Sequence, residues 1–316
     1  MEEIKKYVKD KELIIYGGYA QNKLIGVKNI RDEFYDETDR PDLEVYSSDP
    51  IGDTMKLADI LHAKNYKYVV AEEGVHNETY KIFVNFVNFS DISYMDPFIL
   101  KNCPIIKVDG LKLIHPHFMQ TDAYRVYADI LTSNFRLNKT FCRMSTLMKY
   151  YPFDEKAEYN KLSYTRSKEI DDILRFVRKE IIHDSDLIVI GQYAFNYYAK
   201  KLDEKKSIDI EYIQLISSNL KKDFAKINKL LKDKYGKKIF YKTYHPFFQF
   251  FDERVEFSYN GKVFLKIYGN NEKCIVYRKS DKKKTKFGTF TLVLLYLICD
   301  YHFAFINKNK EEEMNS

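Results

Sequence analysis

The stretch LIIYGGYAQNKL, residues 13–24, decides the fold, because residues 187–198 repeat it as LIVIGQYAFNYY. Each copy is typical of a short apolar strand, a glycine turn and the beginning of a helix with the pattern Tyr-Ala-x-x-Asn. The copies differ after the strand, where the first has two glycines and the second has glycine and glutamine. This self-similarity predicts that the chain contains one folding module twice.

The sequence that follows the two stretches repeats as well. Residues 40–61 and 207–231 each contain Asp-x-Glu on an alternating strand, then a polar turn and an amphipathic helix. Strand-like runs come next in both halves, and Asn260-Gly261 predicts a hairpin turn. We expect an α+β fold of two tandem domains, residues 1–160 and 161–306, with mixed or antiparallel sheets flanked by helices and a disordered tail at 307–316.

The composition is that of a globular protein with a mildly basic balance. The 316 residues carry a formal net charge of +6, which is compatible with a polyanionic partner but does not require one. Four widely spaced cysteines and the lack of an apolar leader favour a reducing, intracellular setting. The most apolar segment, residues 292–299, is too short to span a bilayer, so we expect a buried helix and no membrane association.

Gly17 and Gly18 form the first candidate binding element. They end a strand and precede a helix, so backbone N–H groups could approach a phosphate while the helix N-terminus adds positive potential. For two glycines considered alone, a tight turn with unusual backbone angles is the alternative.

Acidic residues on two strands form the second candidate element. Asp42 and Glu44 are two apart on a strand, so both carboxylates face one side while their neighbours face the core. Like charges this close favour a divalent cation held by oxygen ligands, although an exposed strand face is the alternative for this pair alone. We predict Asp91 as the third carboxylate of a site for two metal ions, on the strand face opposite to Asn88, and Asp96 is the alternative.

Arg136, Lys139 and Arg143 form the third candidate element. They recur at three- and four-residue steps in SNFRLNKTFCRMSTLMKYY, residues 133–151, which puts them on one face of a helix. Such a face suits a triphosphate or an RNA backbone, and a solvated helix face is the equal alternative. Among the many aromatic residues, Tyr19, Tyr46 and Tyr94 could stack on bases, although most rings are expected in the core.

A strand followed by Gly17-Gly18 and a helix, then Asp42-x-Glu44 and a later carboxylate, resembles the nucleotidyltransferase pattern of the polymerase beta superfamily. The two-module layout is similar to the poly(A) polymerase catalytic subunits of poxviruses and other large DNA viruses. The resemblance implies template-independent addition of AMP from ATP to an RNA 3′ end. It also implies two Mg²⁺ or Mn²⁺ ions at Asp42, Glu44 and Asp91, with the triphosphate at the two glycines.

The same resemblance implies further properties of the chain as a whole. It implies residence in the virion or the host cytoplasm, and either a homodimer or a processivity subunit as a partner. Two other functions remain open at the level of the sequence. One is a nucleotidyltransferase that acts on a tRNA end or a small molecule, and the other is a non-catalytic RNA-binding subunit.

The second copy of the module departs from the pattern. Gln192 stands in place of the second glycine, where its side chain would crowd a triphosphate. Asp209 and Glu211 keep the Asp-x-Glu spacing, but only the neighbourhood of Cys274 aligns with Asp91. We therefore expect a degenerate second nucleotidyltransferase-like domain that serves as a scaffold and RNA-binding surface.

Overall fold

A computed structural model describes the protein over residues 1–36, 38–75, 78–128, 133–152, 167–183, 185–202, 207–246, 251–270, 275–280 and 284–300. The chain divides into two compact units. The first comprises residues 1–123 and 136–155, and the second comprises residues 124–135 and 156–316. Each unit contains one seven-stranded mixed sheet with helices against it, so the α+β prediction is confirmed.

Among the described residues, the first unit contains seven strands and six helices, of which the fifth extends into the second unit. The strands are β1 (Ile14–Tyr16), β2 (Leu43–Ser47), β3 (Val69–Glu73), β4 (Thr79–Val84), β5 (Val87–Tyr94), β6 (Ile105–Val108) and β7 (Leu111–Ile114). The helices are α1 (Glu2–Asp10), α2 (Gly17–Lys28), α3 (Pro50–Ala63), α4 (Pro97–Asn102), α5 (Pro116–Ala128) and α6 (Leu137–Tyr150). Helix α5 runs across the boundary between the units at residues 123 and 124.

Among its described residues, the second unit has the seven strands in the same order, with helices equivalent to α1, α2, α3 and α5. Its helices are α7 (Lys168–Phe176), which continues as a π-helix over Val177–Ile182, α8 (Gly191–Leu202), α9 (Leu220–Tyr235) and α10 (residues 290–300). Its strands are β8 (Ile188–Ile190), β9 (Ile213–Ser217), β10 (Ile239–Tyr244), β11 (Arg254–Tyr259), β12 (Lys262–Gly269), β13 (Tyr277–Lys279) and β14 (Lys286–Gly288).

The two sheets have the same topology. The strand order is β3-β4-β5-β2-β1-β7-β6 in the first and β10-β11-β12-β9-β8-β14-β13 in the second. In both, the first strand of the unit is antiparallel to the second strand and parallel to the last. The second strand is parallel to the fifth in both sheets. The repeat predicted from the sequence is therefore a repeat of the complete sheet.

Side chains as well as strands repeat between the units. Asn22 accepts hydrogen bonds from the backbone N–H groups of Phe34 and Tyr35, which ties α2 to the segment before β2. Asn196 holds the equivalent segment before β9, because it accepts from the N–H of Ile208 and donates to the carbonyl of the same residue. The Asn of the Tyr-Ala-x-x-Asn pattern is thus a structural clamp in each unit, because it fixes where the chain enters the second strand.

Two hairpins of the same kind lie on the outer part of the two sheets. Asn260 and Gly261, with φ values of 49° and 79°, join β11 to β12, so the predicted Asn-Gly turn is confirmed. The strand-like run of the first half is also a hairpin, because Asn85 and Phe86 have φ values of 51° and 67° between β4 and β5. The segment at residues 292–299 is helical, as expected, and no helix of the described ranges is long and apolar enough to cross a membrane.

Candidate active site

The carboxylates of the first unit lie on adjacent strands of its sheet. Glu44 on β2 is directly opposite Asp91 on the parallel strand β5, and Asp42 immediately precedes β2. Leu43 and Val45 are fully buried, which confirms the predicted alternation around the acidic pair. Parallel pairing therefore brings Asp91 beside the Asp-x-Glu motif from a position 47 residues away in the chain.

Asn88 connects two of these carboxylates. Its side-chain amide donates to Asp42 at 3.2 Å and to Asp91 at 2.8 Å. The prediction that Asn88 and Asp91 face opposite sides of the strand is wrong. The pairing of β4 with β5 shifts by one residue between Ile82 and Phe83, and this bulge turns Asn88 toward the site.

Asp91 is also ion-paired. Lys81 on β4 is directly opposite Asp91 and donates to both of its carboxylate oxygens, at 2.8 and 2.6 Å. The alternative third carboxylate, Asp96, lies outside this group, because it caps α4 by accepting from the N–H groups of Phe98 and Ile99. The geometry therefore favours Asp91 over Asp96.

Burial, and after it mutual repulsion, raises the pKa of two of these carboxylates, Glu44 and Asp42. Burial, together with the charges of Asp42 and Asp91, raises the pKa of Glu44 to about 7, against the opposing effect of the Gly18 N–H. Burial raises the pKa of Asp42 as well, with the charge of Asp91 as the second cause. Cations lower both values, since Arg136 acts on Glu44 while Lys81 and Lys139 act on Asp42.

The two glycines at the start of α2 contact the carboxylate group directly. Gly17 has φ +68°, and a Cβ on it would lie 1.7 Å from a carboxylate oxygen of Glu44. The N–H of Gly18 donates to Glu44 at 2.7 Å. The missing side chain at Gly17 thus lets the turn between strand and helix lie against an acidic side chain.

The basic helix α6 lies on the other side of the glycines. A Cβ on Gly18 would meet the Tyr35 hydroxyl at 2.5 Å and the Arg143 guanidinium at 2.7 Å. Arg143 donates to that hydroxyl at 3.0 Å and covers the rings of Phe34 and Tyr35. With Arg136 and Lys139 near enough to act on Glu44 and Asp42, the structure brings together all three predicted cations and the carboxylates.

The donor set suits a hard divalent cation, because Mg²⁺ and Mn²⁺ prefer oxygen ligands. Asn88 adds a buried amide oxygen that has no hydrogen-bond partner in the part of the chain that the structure describes. Within the described ranges, however, no three acidic, His or Cys side chains are gathered closely enough to hold a metal ion. Glu44 and Asp91 pair instead with the Gly18 N–H and with Lys81, so these pairings would have to give way to an ion.

The rings named as candidates for base stacking are differently placed. Tyr46 is 2% exposed and stacks on Tyr16 with ring centroids 3.9 Å apart, so it belongs to the core. Tyr19 is 9% exposed, and Tyr94 is half-buried at the end of β5. Tyr35, which the sequence did not single out, is the ring that lies at the glycines.

The second unit has different residues at the equivalent positions. Gly191 has φ +63°, and a Cβ on it would meet the side chain of Gln214 as closely as Gly17 would meet Glu44. Gln214 therefore takes the place of Glu44, and Tyr212 that of Asp42. The expectation that Asp209 and Glu211 keep those places is wrong, because they precede β9. The side chain of Gln192 turns back to accept from the Glu211 N–H.

A row of directly opposed residues crosses four strands of each sheet, and its charges differ between the units. In the first unit the row consists of Glu72, Lys81, Asp91 and Glu44. In the second unit it consists of Lys242, Glu256, Lys266 and Gln214. Lys266 thus replaces Asp91, whereas the sequence alignment pointed to Cys274, which lies outside the described residues.

In the second unit, an ion pair occupies the position that is equivalent to the carboxylate site of the first unit. Asp300 on α10 accepts from Tyr212 at 2.8 Å, from Gln214 at 2.9 Å and from Lys266 at 3.3 Å. One carboxylate surrounded by an ammonium and two neutral donors has no net charge to attract a divalent cation. The second unit is therefore degenerate at this position, as expected from its lost glycine.

Two family models match the chain and together cover most of it. The model described as "Poly(A) polymerase catalytic subunit" matches residues 2–133. The model described as "APMV, Putative poly(A) polymerase, catalytic subunit, C-terminal" matches residues 145–316.

Viral proteins are similar to the chain in sequence and structure. An Acanthamoeba polyphaga mimivirus protein, named "Putative poly(A) polymerase catalytic subunit", is 30% identical over all of this chain and 60% of its own length. An African swine fever virus protein of the same name is 30% identical over 48% of this chain and 33% of its own.

The crystal structure of the Megavirus polyadenylate synthase superposes with a TM-score of 0.82 at 30% identity, over 99% of this chain and 65% of the other. The chain thus spans less than two thirds of the length of each of these relatives.

Proposed function

The chain belongs to the family of viral poly(A) polymerase catalytic subunits, and we propose that it adds AMP from ATP to the 3′ end of RNA without a template. One observation carries this proposal. Parallel pairing of β2 with β5 sets Glu44 opposite Asp91, with Asp42 and the two glycines alongside. The ATP preference and the RNA substrate rest on family membership, because no described contact identifies a base.

The carboxylates Asp42, Glu44 and Asp91 would hold two Mg²⁺ or Mn²⁺ ions. When bound, such a pair supplies activation of an attacking hydroxyl and charge neutralisation at the phosphates. The chain's own residues bring the three carboxylates together in a partly buried position, and the resulting rise in the pKa of Glu44 and Asp42 shows the need for a counter-charge. Asn88 orients two of them through its amide group, and Lys81 supplies a competing positive charge at Asp91.

The glycines and the basic helix would receive the triphosphate. Gly17 and Gly18 begin α2, where backbone N–H groups favour negative charge; the Gly18 N–H now holds the Glu44 carboxylate, which would give way to a phosphate oxygen. Arg136, Lys139 and Arg143 add three cations from the beginning and the first two turns of α6. Phosphoryl transfer depends chiefly on positioning and charge neutralisation, so this arrangement requires no covalent nucleophile from the protein.

A tailing assay tests the activity. The purified protein is incubated with a labelled oligo(A) primer and each of the four nucleoside triphosphates in turn, with Mg²⁺ or Mn²⁺. We expect extension with ATP in preference to the others. Asp42→Asn and Asp91→Asn should each reduce kcat by at least about a thousandfold while RNA retention is kept. The matched controls are Asp209→Asn and Glu211→Gln, which should leave extension unchanged.

Other outcomes of the same assay identify the rival functions. Equal use of several nucleotides, or addition limited to a tRNA end, would indicate a different nucleotidyltransferase. RNA retention without incorporation under either metal would indicate a non-catalytic RNA-binding subunit. As a further part of the proposal, the protein acts in the virion or the host cytoplasm, with a homodimer or a separate chain supplying processivity.

A further inference from the structure

The positive charge of the chain is concentrated in one helix and one strand of the second unit. Residues 220–244, which form α9, a 3₁₀ turn over Gly236–Lys238 and β10, contain nine lysines and two aspartates, a net charge of +7. The complete chain carries +6, so the rest of it is slightly negative. The equivalent residues of the first unit, 50–73 in α3 and β3, contain three lysines and four acidic residues, a net charge of −1.

These lysines are available to a partner. All nine are exposed, and none has a carboxylate within ion-pair distance among the residues that the structure describes. Seven net positive charges within one helix and one strand repel each other, and a polyanion is the partner that relieves this repulsion. A solvated helix face would account for scattered lysines. It would not account for the difference in net charge between α9–β10, at +7, and the equivalent α3–β3, at −1.

Exposed aromatic rings accompany the lysines. Phe240 is 62% exposed and Tyr241 is 46% exposed on β10, the edge strand of the sheet. The ammonium group of Lys232 lies 5.7 Å from the centre of the Tyr241 ring. Together with Gly236 and Lys237 these side chains border an open cavity of about 660 Å³. We call this region, from Lys232 to Tyr241, the α9–β10 surface.

We propose that the α9–β10 surface binds single-stranded RNA, with its lysines on phosphates and the rings of Phe240 and Tyr241 stacked on unpaired bases. Exposed rings beside ammonium groups distinguish this surface from a site for duplex, whose bases are already stacked on each other. The identity of the polyanion as RNA rests on the proposed function. The location of the surface rests on charge and exposure alone.

Fluorescence anisotropy with a labelled 20-nucleotide oligo(A) tests the proposal without ATP or divalent metal, so the active site makes no chemical contribution. The variant Lys232→Ala/Lys237→Ala should weaken binding at least about fivefold and lower the salt slope, log K against log[salt], by about 1.4. The matched control is Lys56→Ala/Lys67→Ala in the equivalent elements of the first unit, where affinity should change less than about twofold. Equal losses in the two variants would overturn the proposal.

A second variant tests the stacking. Phe240→Ala/Tyr241→Ala should weaken oligo(A) binding at least about fivefold with the salt slope unchanged, because stacking releases no counterions. Thermal unfolding checks the fold, because the Tyr241 ring also packs edge-on against Phe224 with ring centroids 4.9 Å apart. Phe240→Ala alone, at a 62% exposed ring, repeats the test without that contact and should also weaken oligo(A) binding. If duplex RNA or polyglutamate bound as tightly as oligo(A), or if removal of the rings had no effect, the surface would be a general polyanion or protein site and the proposal would be wrong.

Failure of the RNA-surface proposal can be distinguished from failure of the proposed function. In the tailing assay the Lys232→Ala/Lys237→Ala variant should have a higher KM for primer and an unchanged kcat. Asp42→Asn should have the opposite profile, with normal RNA affinity and no incorporation. If the wild type incorporates no nucleotide but the lysine variant binds RNA more weakly, the proposed function fails and the RNA surface stands. If the wild type is active but the lysine variant and its control bind RNA equally well, the RNA surface fails and the proposed function stands.

Discussion

Gly17 is the residue at which backbone conformation and site chemistry depend on each other most directly. Its φ of +68° is unfavourable for any residue with a Cβ, and that Cβ would also overlap the Glu44 carboxylate. We expect Gly17→Ala to lower the free energy of unfolding by about 1–3 kcal/mol and to abolish nucleotide addition. Urea unfolding and the tailing assay measure the two effects.

Gly18→Ala is the matched comparison for this prediction. Gly18 lies inside α2 without a positive φ, and the groups that its Cβ would meet are the ends of the Tyr35 and Arg143 side chains, which can move. We expect a loss of activity with little loss of stability. Equal destabilisation by the two substitutions would contradict the role given to the Gly17 backbone.

The buried Glu44 should make the metal-free protein sensitive to pH. Its pKa is about 7 in the folded state and about 4.5 when exposed, so the folded protein retains a proton that the unfolded chain has lost. Its contribution to stability is therefore complete below pH 4.5 and is lost as the pH rises toward and past 7. Urea unfolding in EDTA should show this decline, and Glu44→Gln should remove it. An identical decline in Glu44→Gln would assign it to other groups.

Several site residues could be predicted from the sequence, because they follow local periodicity. Asp42 and Glu44 obey the two-residue repeat of a strand, and Asp91 stood out as an acidic residue in an aromatic strand. Lys81 and Asn88 could not be predicted, since their roles depend on strand register and on a bulge that reverses the alternation. Neither the register nor the bulge has a clear local signature in the sequence.

At the scale of elements, the repeated asparagines offer a paired test of the module. Asn22 and Asn196 are both 7% exposed and hold the chain that enters the second strand of each unit. We expect Asn22→Ala and Asn196→Ala each to lower the free energy of unfolding by about 1–2 kcal/mol, because partly buried backbone groups lose two hydrogen bonds to the asparagine side chain. Only Asn22→Ala should also lower kcat, since the segment it holds carries Tyr35 at the glycines. A fall in kcat for Asn196→Ala alone would contradict this assignment.

The order of the elements was predictable, but their alignment between the units was not. The Asp-x-Glu pattern occurs in both copies, yet Glu211 lies two residues before β9, whereas Glu44 is the second residue of β2. The hydrogen-bonded register therefore gives the site position to Gln214. A repeated sequence pattern specifies the kinds of elements, and the pairing partners of a strand specify which side chains face one another.

At the scale of the whole molecule, the two units have one topology and two charge patterns. The first sheet brings carboxylates together in a site suited to cations, whereas the equivalent position of the second sheet is occupied by the ion pair of Lys266 and Asp300. The excess positive charge lies on α9 and β10. Two sheets of the same topology thus carry a candidate catalytic surface in one unit and a candidate RNA surface in the other.

Asp300→Asn tests whether the ion pair of Lys266 and Asp300 stabilises the fold and takes no part in the reaction. The substitution removes the nearer counter-charge of Lys266, at 3.3 Å, and leaves the Glu256 carboxylate at 3.9 Å. We expect a loss of about 1–3 kcal/mol in the free energy of unfolding, because a mostly buried ammonium keeps only its longer ion pair while Tyr212 and Gln214 lose a charged acceptor. The kcat of the folded fraction should be unchanged, and a large fall in kcat at full folding would assign this centre to the reaction.

The central claim is that Asp42, Glu44 and Asp91 form the metal centre of a single active site. A crystal structure with Mn²⁺ and a non-hydrolysable ATP analogue tests it most directly, because anomalous scattering locates manganese without reference to the model. The account predicts manganese between these three carboxylates, the triphosphate at Gly17 and Gly18, and the Lys81 ammonium displaced from Asp91. Manganese at Asp209 and Glu211, or bound nucleotide with no metal at the three carboxylates, would contradict it.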